Sequence, residues 1–94
     1  MEITVQFEAQ LRQAAGVGQA TVTVPDDSSV EATLRVIGTK CGPALEERLI
    51  AADGTVQRSV LLFVNDQPIA HAAVADHRLN AGDVLLLYPP ISGG

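Results

Sequence analysis

The last two residues of the chain carry the group with the clearest potential for chemistry. Gly93 and Gly94 end the sequence with a carboxylate. Because glycine has no side chain, such an end fits a narrow channel in another protein, where larger residues would clash. A carboxylate donates its acyl group only after activation, for example as an acyl-adenylate. It then reacts with sulfur to give a thiocarboxylate, or with an amine to give an amide.

The other reactive side chains do not form a catalytic constellation. His71 and His77 lie in a segment rich in turn residues, and we predict solvated surface histidines there; Asp76 is adjacent to His77, but a triad depends on geometry. The single cysteine, Cys41, continues an apolar helical stripe, which favours a buried structural thiol. One cysteine excludes an intrachain disulfide and a four-thiolate zinc site. We therefore predict no catalysis by this chain itself, no bound metal and no bound cofactor.

Charge and length exclude several classes of partner. The chain has 94 residues, 6 basic against 11 acidic side chains, and a net charge of −5. The basic residues are scattered, whereas a nucleic-acid binder clusters them to displace counterions from phosphates. We predict no nucleic-acid partner and no membrane partner, because no apolar stretch reaches the ~18 residues of a membrane span. The start of the chain has no signal-peptide pattern, which predicts a cytoplasmic protein.

The order of predicted elements indicates an α+β fold. Alternating or continuous apolar runs predict strands, and an apolar stripe at i, i+4, i+7 predicts a helix that begins at a capping box on Ser28 and Glu31. Pro43 suits the first turn of a second, short helix. The strands are predicted at residues 2–8, 20–24, 60–64, 69–70 and 84–88, and the helices at 28–41 and 43–49, with a long connection over 9–19. This order matches a mixed sheet of four to five strands with one main helix on one face, by analogy the β-grasp arrangement of ubiquitin.

One face of this sheet has no predicted cover. The strands 60–64 and 84–88 are apolar on both faces, as in strands buried on both sides. If the helix covers one face, the opposite face exposes an apolar group, and such groups often mark partner sites. The alternative is that residues 9–19 or 70–80 fold over it. The side chains concerned are Leu61, Phe63, Leu86 and Tyr88.

Three stretches resemble the MoaD/ThiS family of ubiquitin-like sulfur carriers. The most specific is residues 79–94, with its leucine, a Gly82-Asp83 turn, an apolar strand, two prolines and a terminal Gly-Gly. Residues 7–16 and Phe63-Val64-Asn65 match the first strand with its loop and the central strand with its turn. Residues 43–58 form a longer segment than in the smallest thiamine-type carriers, which favours molybdopterin-type or cysteine-synthesis carriers.

The resemblance implies a β-grasp domain over residues 1–94 with a flexible tail at 89–94. It implies that an E1-like enzyme of the MoeB/ThiF type adenylates Gly94 with ATP and Mg²⁺, and that a sulfurtransferase then supplies sulfur. The large subunit of molybdopterin synthase is the implied acceptor. Gly93 accompanies the reactive Gly94, and the implied partner-binding residues are Leu61, Phe63, Leu86, Tyr88, Pro89, Pro90, Ile91 and Ser92.

Other functions remain open from the residues alone. The chain is also compatible with a ubiquitin-like modifier that forms isopeptides through Gly94, although Lys40 is its only lysine and self-chains have few acceptors. A sulfur carrier for cysteine or thiamine synthesis is a further possibility. A plain interaction module would have an incidental Gly-Gly, and it would function without Gly93 and Gly94.

Overall fold

The fold is organised around one mixed sheet. The computed structural model describes residues 1–89. Five strands lie in the order β2-β1-β5-β3-β4. The first and last strands are parallel neighbours at the centre, and all other pairs are antiparallel. This is the predicted β-grasp arrangement. The strands are β1 Glu2–Phe7, β2 Gln19–Thr23, β3 Leu61–Val64, β4 Gln67–Ile69 and β5 Val84–Tyr88.

Three α-helices pack on the same face of the sheet. They are α1 Gln10–Ala15, α2 Val30–Cys41 and α3 Pro43–Leu49, and a 3₁₀ turn follows at His71–Ala73. The alternating side chains Ile3, Val5 and Phe7 of β1 point into the core and are fully buried. The stripe of α2 meets them with Val30, Leu34 and Ile37, which are also fully buried. None of the helices within residues 1–89 has the length and apolar character needed to span a membrane.

The start of α2 differs by one residue from the sequence-based prediction. The N-cap is Ser29, whose hydroxyl accepts a hydrogen bond from the Ala32 N–H at 3.1 Å. Ser28 lies one residue before this cap, and its hydroxyl donates to the Pro25 carbonyl at 2.6 Å. The Glu31 carboxylate pairs with Arg35 at 2.8 Å instead of closing a capping box.

The predicted connection over residues 9–19 contains the helix α1. This helix has one buried anchor, Leu11, and it ends at Gly16, whose φ of 80° lets its N–H return to the Arg12 carbonyl. A positive φ at this place suits glycine, which has no Cβ to clash. One anchor gives no periodicity, so the sequence pattern did not reveal the helix.

A two-residue turn joins β3 to β4. Asn65 and Asp66 both have positive φ, 48° and 69°, as expected for a tight hairpin turn. Because Val64 pairs with Gln67, the strand β4 begins at Gln67, two residues before the strand predicted at 69–70.

The Asn65 side chain ties this turn to the start of β5. Its amide group donates to the Asp83 carboxylate at 2.9 Å, and its carbonyl oxygen accepts from the Val84 N–H at 2.9 Å. Asp83 is buried, and its second oxygen accepts from the Asn80 N–H at 2.8 Å. One carboxylate and one amide thus hold together the ends of two neighbouring strands.

We predict that Asn65→Gly lowers the free energy of unfolding by about 1–3 kcal/mol. Glycine keeps the positive φ but removes both side-chain hydrogen bonds. Asp66→Gly is the matched control, because it removes a side chain from the same turn without breaking either bond, and we expect it to leave stability unchanged or raise it. Urea titration followed by circular dichroism measures both. Equal stability of the two variants would contradict the role assigned to the Asn65 amide.

Candidate functional site: the outer face of the sheet

The strand register brings four apolar side chains together on the sheet face away from the helices. Phe63 lies directly opposite Leu86, and Leu61 lies directly opposite Tyr88. These four residues are the outer apolar patch. The residues that alternate with them on the same strands point into the core and are buried: Leu62, Val64, Leu85 and Leu87. The sequence alternation therefore assigned the two faces of β3 and β5 correctly.

The patch is partly accessible and internally packed. Leu61 is 43% exposed and Tyr88 is 39% exposed, while Phe63 and Leu86 are half-buried. The rings of Phe63 and Tyr88 meet edge to face, with centroids 5.8 Å apart and planes at 78°. Aromatic pairs prefer this geometry over a face-to-face sandwich. The two aromatic rings therefore pack against each other within the patch.

Neither of the two loops considered as a cover lies over the patch. The helix α1, within residues 9–19, packs against α3 on the helix side of the sheet. The segment 70–80 meets the start of α2, where the His77 and Val74 carbonyls accept from the N–H groups of Val30 and Glu31. Within residues 1–89, the alternative of loop cover is therefore wrong.

The surroundings of the patch are polar on one side and apolar on the other. Gln6 of β1 lies opposite Leu86. A cleft of about 310 Å³ lies there, lined by Gln6, Asn65, Asp66, Val84 and Leu86. Across the patch, Pro68 of β4 lies opposite Phe63. Sequence reasoning did not include Val84 and Pro68 among the site residues. Val84 could have been found, because it lies two residues before Leu86 and so on the same face. Pro68 could not, because only the strand register places it beside Phe63.

Pro89 is separated from the other predicted binding residues. It lines a different cleft of about 210 Å³, on the helix side, together with Leu11, Arg48, Gln57 and Ser59. The remaining predicted site residues lie outside the described part of the chain, and their roles stay predictions. They are Pro90, Ile91, Ser92, Gly93 and Gly94.

The residues set aside as non-catalytic have structural surroundings. Cys41 is half-buried against the core, and burial raises the pKa of its thiol more than the nearby Lys40 lowers it. A raised pKa makes the thiol a poor nucleophile at neutral pH. The prediction of solvated histidines is wrong for His71, whose Nε2 lies 2.6 Å from the Val56 carbonyl because the ring folds back onto the core edge. Residues 1–89 hold no cluster of three potential metal ligands.

Comparison with known proteins identifies the lineage of this domain. A sequence model of the ThiS family matches residues 5–94. The chain belongs to the ThiS family. A molybdopterin synthase sulfur carrier subunit of Arabidopsis thaliana is 33% identical over 94 residues, which span all of this chain and 84% of the plant protein. Small archaeal modifier protein 3 of Haloferax volcanii is 31% identical over the full length of both chains.

The solved structures agree with this placement. The crystal structure of SAMP1 from Haloferax volcanii superimposes with a TM-score of 0.87 at 30% identity and covers all of both chains. The matched proteins are named as carriers and modifiers. This ThiS-family chain is accordingly a small ubiquitin-like carrier or modifier and not a catalyst, as the sequence predicted.

We predict that Leu86→Asp leaves the domain folded and lowers the free energy of unfolding by no more than about 1.5 kcal/mol, because the side chain is half-exposed. The neighbouring change Leu87→Ala removes a fully buried side chain and should cost about 2–5 kcal/mol. Urea titration compares the two. A larger loss for Leu86→Asp than for Leu87→Ala would show that the outer apolar patch belongs to the core.

Proposed function

We propose that the chain carries sulfur as a thiocarboxylate on Gly94. The observation that supports this most directly is continuity: one central strand, β5, bears half of the outer apolar patch and leads within six residues to Gly94. A protein bound over the patch is therefore close to the start of the segment that carries the reactive carboxylate. Family membership supports the same chemistry, since one matched relative is named a sulfur carrier subunit.

The proposed chemistry takes place on partner enzymes. A Gly94 carboxylate oxygen attacks the α-phosphorus of ATP, pyrophosphate leaves, and an acyl-adenylate remains. Sulfur at the oxidation level of hydrosulfide then attacks the acyl carbon and displaces AMP, which leaves the thiocarboxylate. An E1-like adenylating enzyme supplies Mg²⁺ and ATP, and a sulfurtransferase supplies the sulfur. This chain contributes the carboxyl group and a surface for docking.

The outer apolar patch is the proposed docking surface for the adenylating enzyme. Burying partly exposed apolar side chains on association removes their surface from water, which is favourable. Apolar patches on a small protein are uncommon unless they meet a partner. The adjacent Thr4 and Gln6 side chains place polar groups beside the patch, as at the rim of other interfaces.

The proposed sulfur acceptor belongs to molybdopterin synthesis. The Arabidopsis relative is named for molybdopterin synthase, and the match to it spans the whole of this chain. We extend that role to this chain, with the large subunit of the synthase as the partner that receives sulfur from Gly94.

The first test is the intact mass of the protein after incubation with its host's E1-like enzyme, ATP and a sulfur source. We expect a gain equal to one exchange of oxygen for sulfur, localised to Gly94. The reaction should be lost when Gly93 and Gly94 are deleted.

The same assay tests the docking surface. Leu86→Asp should slow the reaction about tenfold or more, because a charge desolvated in an apolar interface opposes docking. Val17→Asp, an equivalent change at an exposed site away from the patch, should react normally. An unchanged mass with a competent enzyme would contradict the carrier proposal.

A second test adds one residue beyond Gly94. A leucine at this place moves the carboxylate and adds a side chain that a narrow channel excludes. We expect adenylation, followed as ATP–pyrophosphate exchange, to fall to background, whereas an added glycine should retain part of the activity. Full activity of the leucine variant would refute the channel argument.

Protein modification is a second candidate function. The Haloferax relatives are named modifier proteins, and one matches over the whole of both chains. The two functions share the acyl-adenylate and differ in what replaces AMP: sulfur, or the ε-amine of a target lysine. Conjugates that resist thiol reduction, seen by immunoblot of host cells, would support the modifier; a thiocarboxylate without such conjugates would support the carrier.

A further inference from the structure

The strand β2 leaves one edge of the sheet open. In its antiparallel pair with β1, the Val24 N–H donates to the Met1 carbonyl at 2.9 Å, and the Phe7 N–H donates to the Gly18 carbonyl at 2.9 Å. Alternate residues in an antiparallel strand point their backbone groups to opposite sides. The backbone groups of Gln19, Thr21 and Thr23 therefore face away from β1, toward the open edge.

The opposite edge of the sheet is less suited to pairing. It is formed by β4, which has only three residues, and the middle one is Pro68. Proline has no N–H to donate, and short strands with proline are among the ways in which proteins block an edge. Of the two edges, β2 is the longer one, and it contains no proline.

Lys40 contacts the open edge at its centre. The Lys40 ammonium, in the last turn of α2, donates to the Thr21 carbonyl at 2.5 Å. An incoming strand would use that carbonyl, and lysine near an edge opposes unwanted pairing. Lys40 is also the chain's only lysine, and the protein as a whole is acidic. The positive charge of Lys40 at this edge therefore attracts an acidic partner segment and repels a basic one.

A shallow hollow of about 410 Å³, wide open to solvent, lies next to this contact on the surface of α2. It is lined by Arg35, Val36, Thr39 and Lys40, and Val36 is 38% exposed. Arg35 is already paired, with the Glu31 carboxylate and the Gly54 carbonyl, each at 2.8 Å. Lys40 therefore supplies the positive charge, and no carboxylate lines the hollow.

We propose that β2 and this hollow bind an extended segment of a partner protein that carries an acidic side chain. The segment adds to the sheet as a sixth strand and pairs with the outward backbone groups of Thr21 and its neighbours. Side chains of an added strand alternate between the two faces. Those on the helix side lie toward Val36, and an acidic one meets Lys40 once its ammonium leaves the Thr21 carbonyl.

This binding site is separate from the outer apolar patch. The patch lies on β3 and β5, and the central strand β1 separates β5 from β2. A partner on the β2 edge therefore leaves the outer apolar patch open to an activating enzyme. The site does not depend on the chemistry proposed for Gly94, and it can be tested without any activating enzyme.

The test uses the full-length ¹⁵N-labelled protein and a synthetic blocked peptide of valines alternating with threonines, followed by two glutamates. We expect amide shift changes over residues 19–23 and 35–40. Lys40→Gln should weaken binding about tenfold, a change that corresponds to about 1.4 kcal/mol. Arg58→Gln, which removes one positive charge from an exposed loop residue, should bind like the unaltered protein. The same peptide N-methylated at alternate residues should lose binding, because it cannot donate to the strand.

Several results would overturn the proposal. No shift changes at millimolar peptide, or changes centred on Phe63 and Leu86, would exclude the β2 edge as the site. Equal binding of a peptide with lysines in place of the glutamates would remove the charge argument. Concentration-dependent broadening of residues 19–23 without peptide would show that a second copy of this chain occupies the edge instead.

Discussion

The parallel pairing of the first and last strands determines most of this structure. Thr4 of β1 lies beside Val84 of β5, and Phe7 lies beside Leu87. At the two ends of the pair, the Thr4 N–H donates to the Asp83 backbone carbonyl and the Glu8 N–H donates to the Leu87 carbonyl. Parallel neighbours cannot be joined by a tight turn, so the chain must cross back between them. In this fold the helices provide that crossing and also cover the face that they traverse. The pairing places β5, and with it the start of the C-terminal segment, at the centre of the sheet.

A chain of this length covers only one face of its sheet. The helices bury Ile3, Leu34 and Leu87, while the other face keeps Leu61 and Tyr88 in contact with water. Neighbouring exposed apolar side chains on a sheet face favour association with a partner. The proposal that a second protein docks here rests on this exposed pair, and the central strand β5 joins that surface to the C-terminal segment.

Sequence patterns predicted those parts of the fold that are determined by burial. The bounds of β5, the face of each residue in β3 and the stripe of α2 follow from the period of apolar residues, because burial in the core requires an apolar side chain at each inward position. The features that the sequence did not predict depend on which polar groups form hydrogen bonds with each other. Ser29 rather than Ser28 accepts the capping hydrogen bond of α2, from the Ala32 N–H, and two adjacent serines give no pattern that distinguishes them. The link from Asn65 to Asp83 joins residues far apart in sequence. The short helix α1 has one buried anchor, which is too few to form a pattern.

The two proposed binding surfaces suit associations of different lifetime. A carrier must leave the enzyme that activates it and reach the one that takes its cargo, so the surface they share has to release. The outer apolar patch, four side chains flanked by Thr4 and Gln6 on one side, is small enough for that. The β2 edge adds backbone hydrogen bonds and one charge at Lys40, away from the patch. A protein held at this edge could remain bound while partners exchange over the patch, because the two sites share no residue.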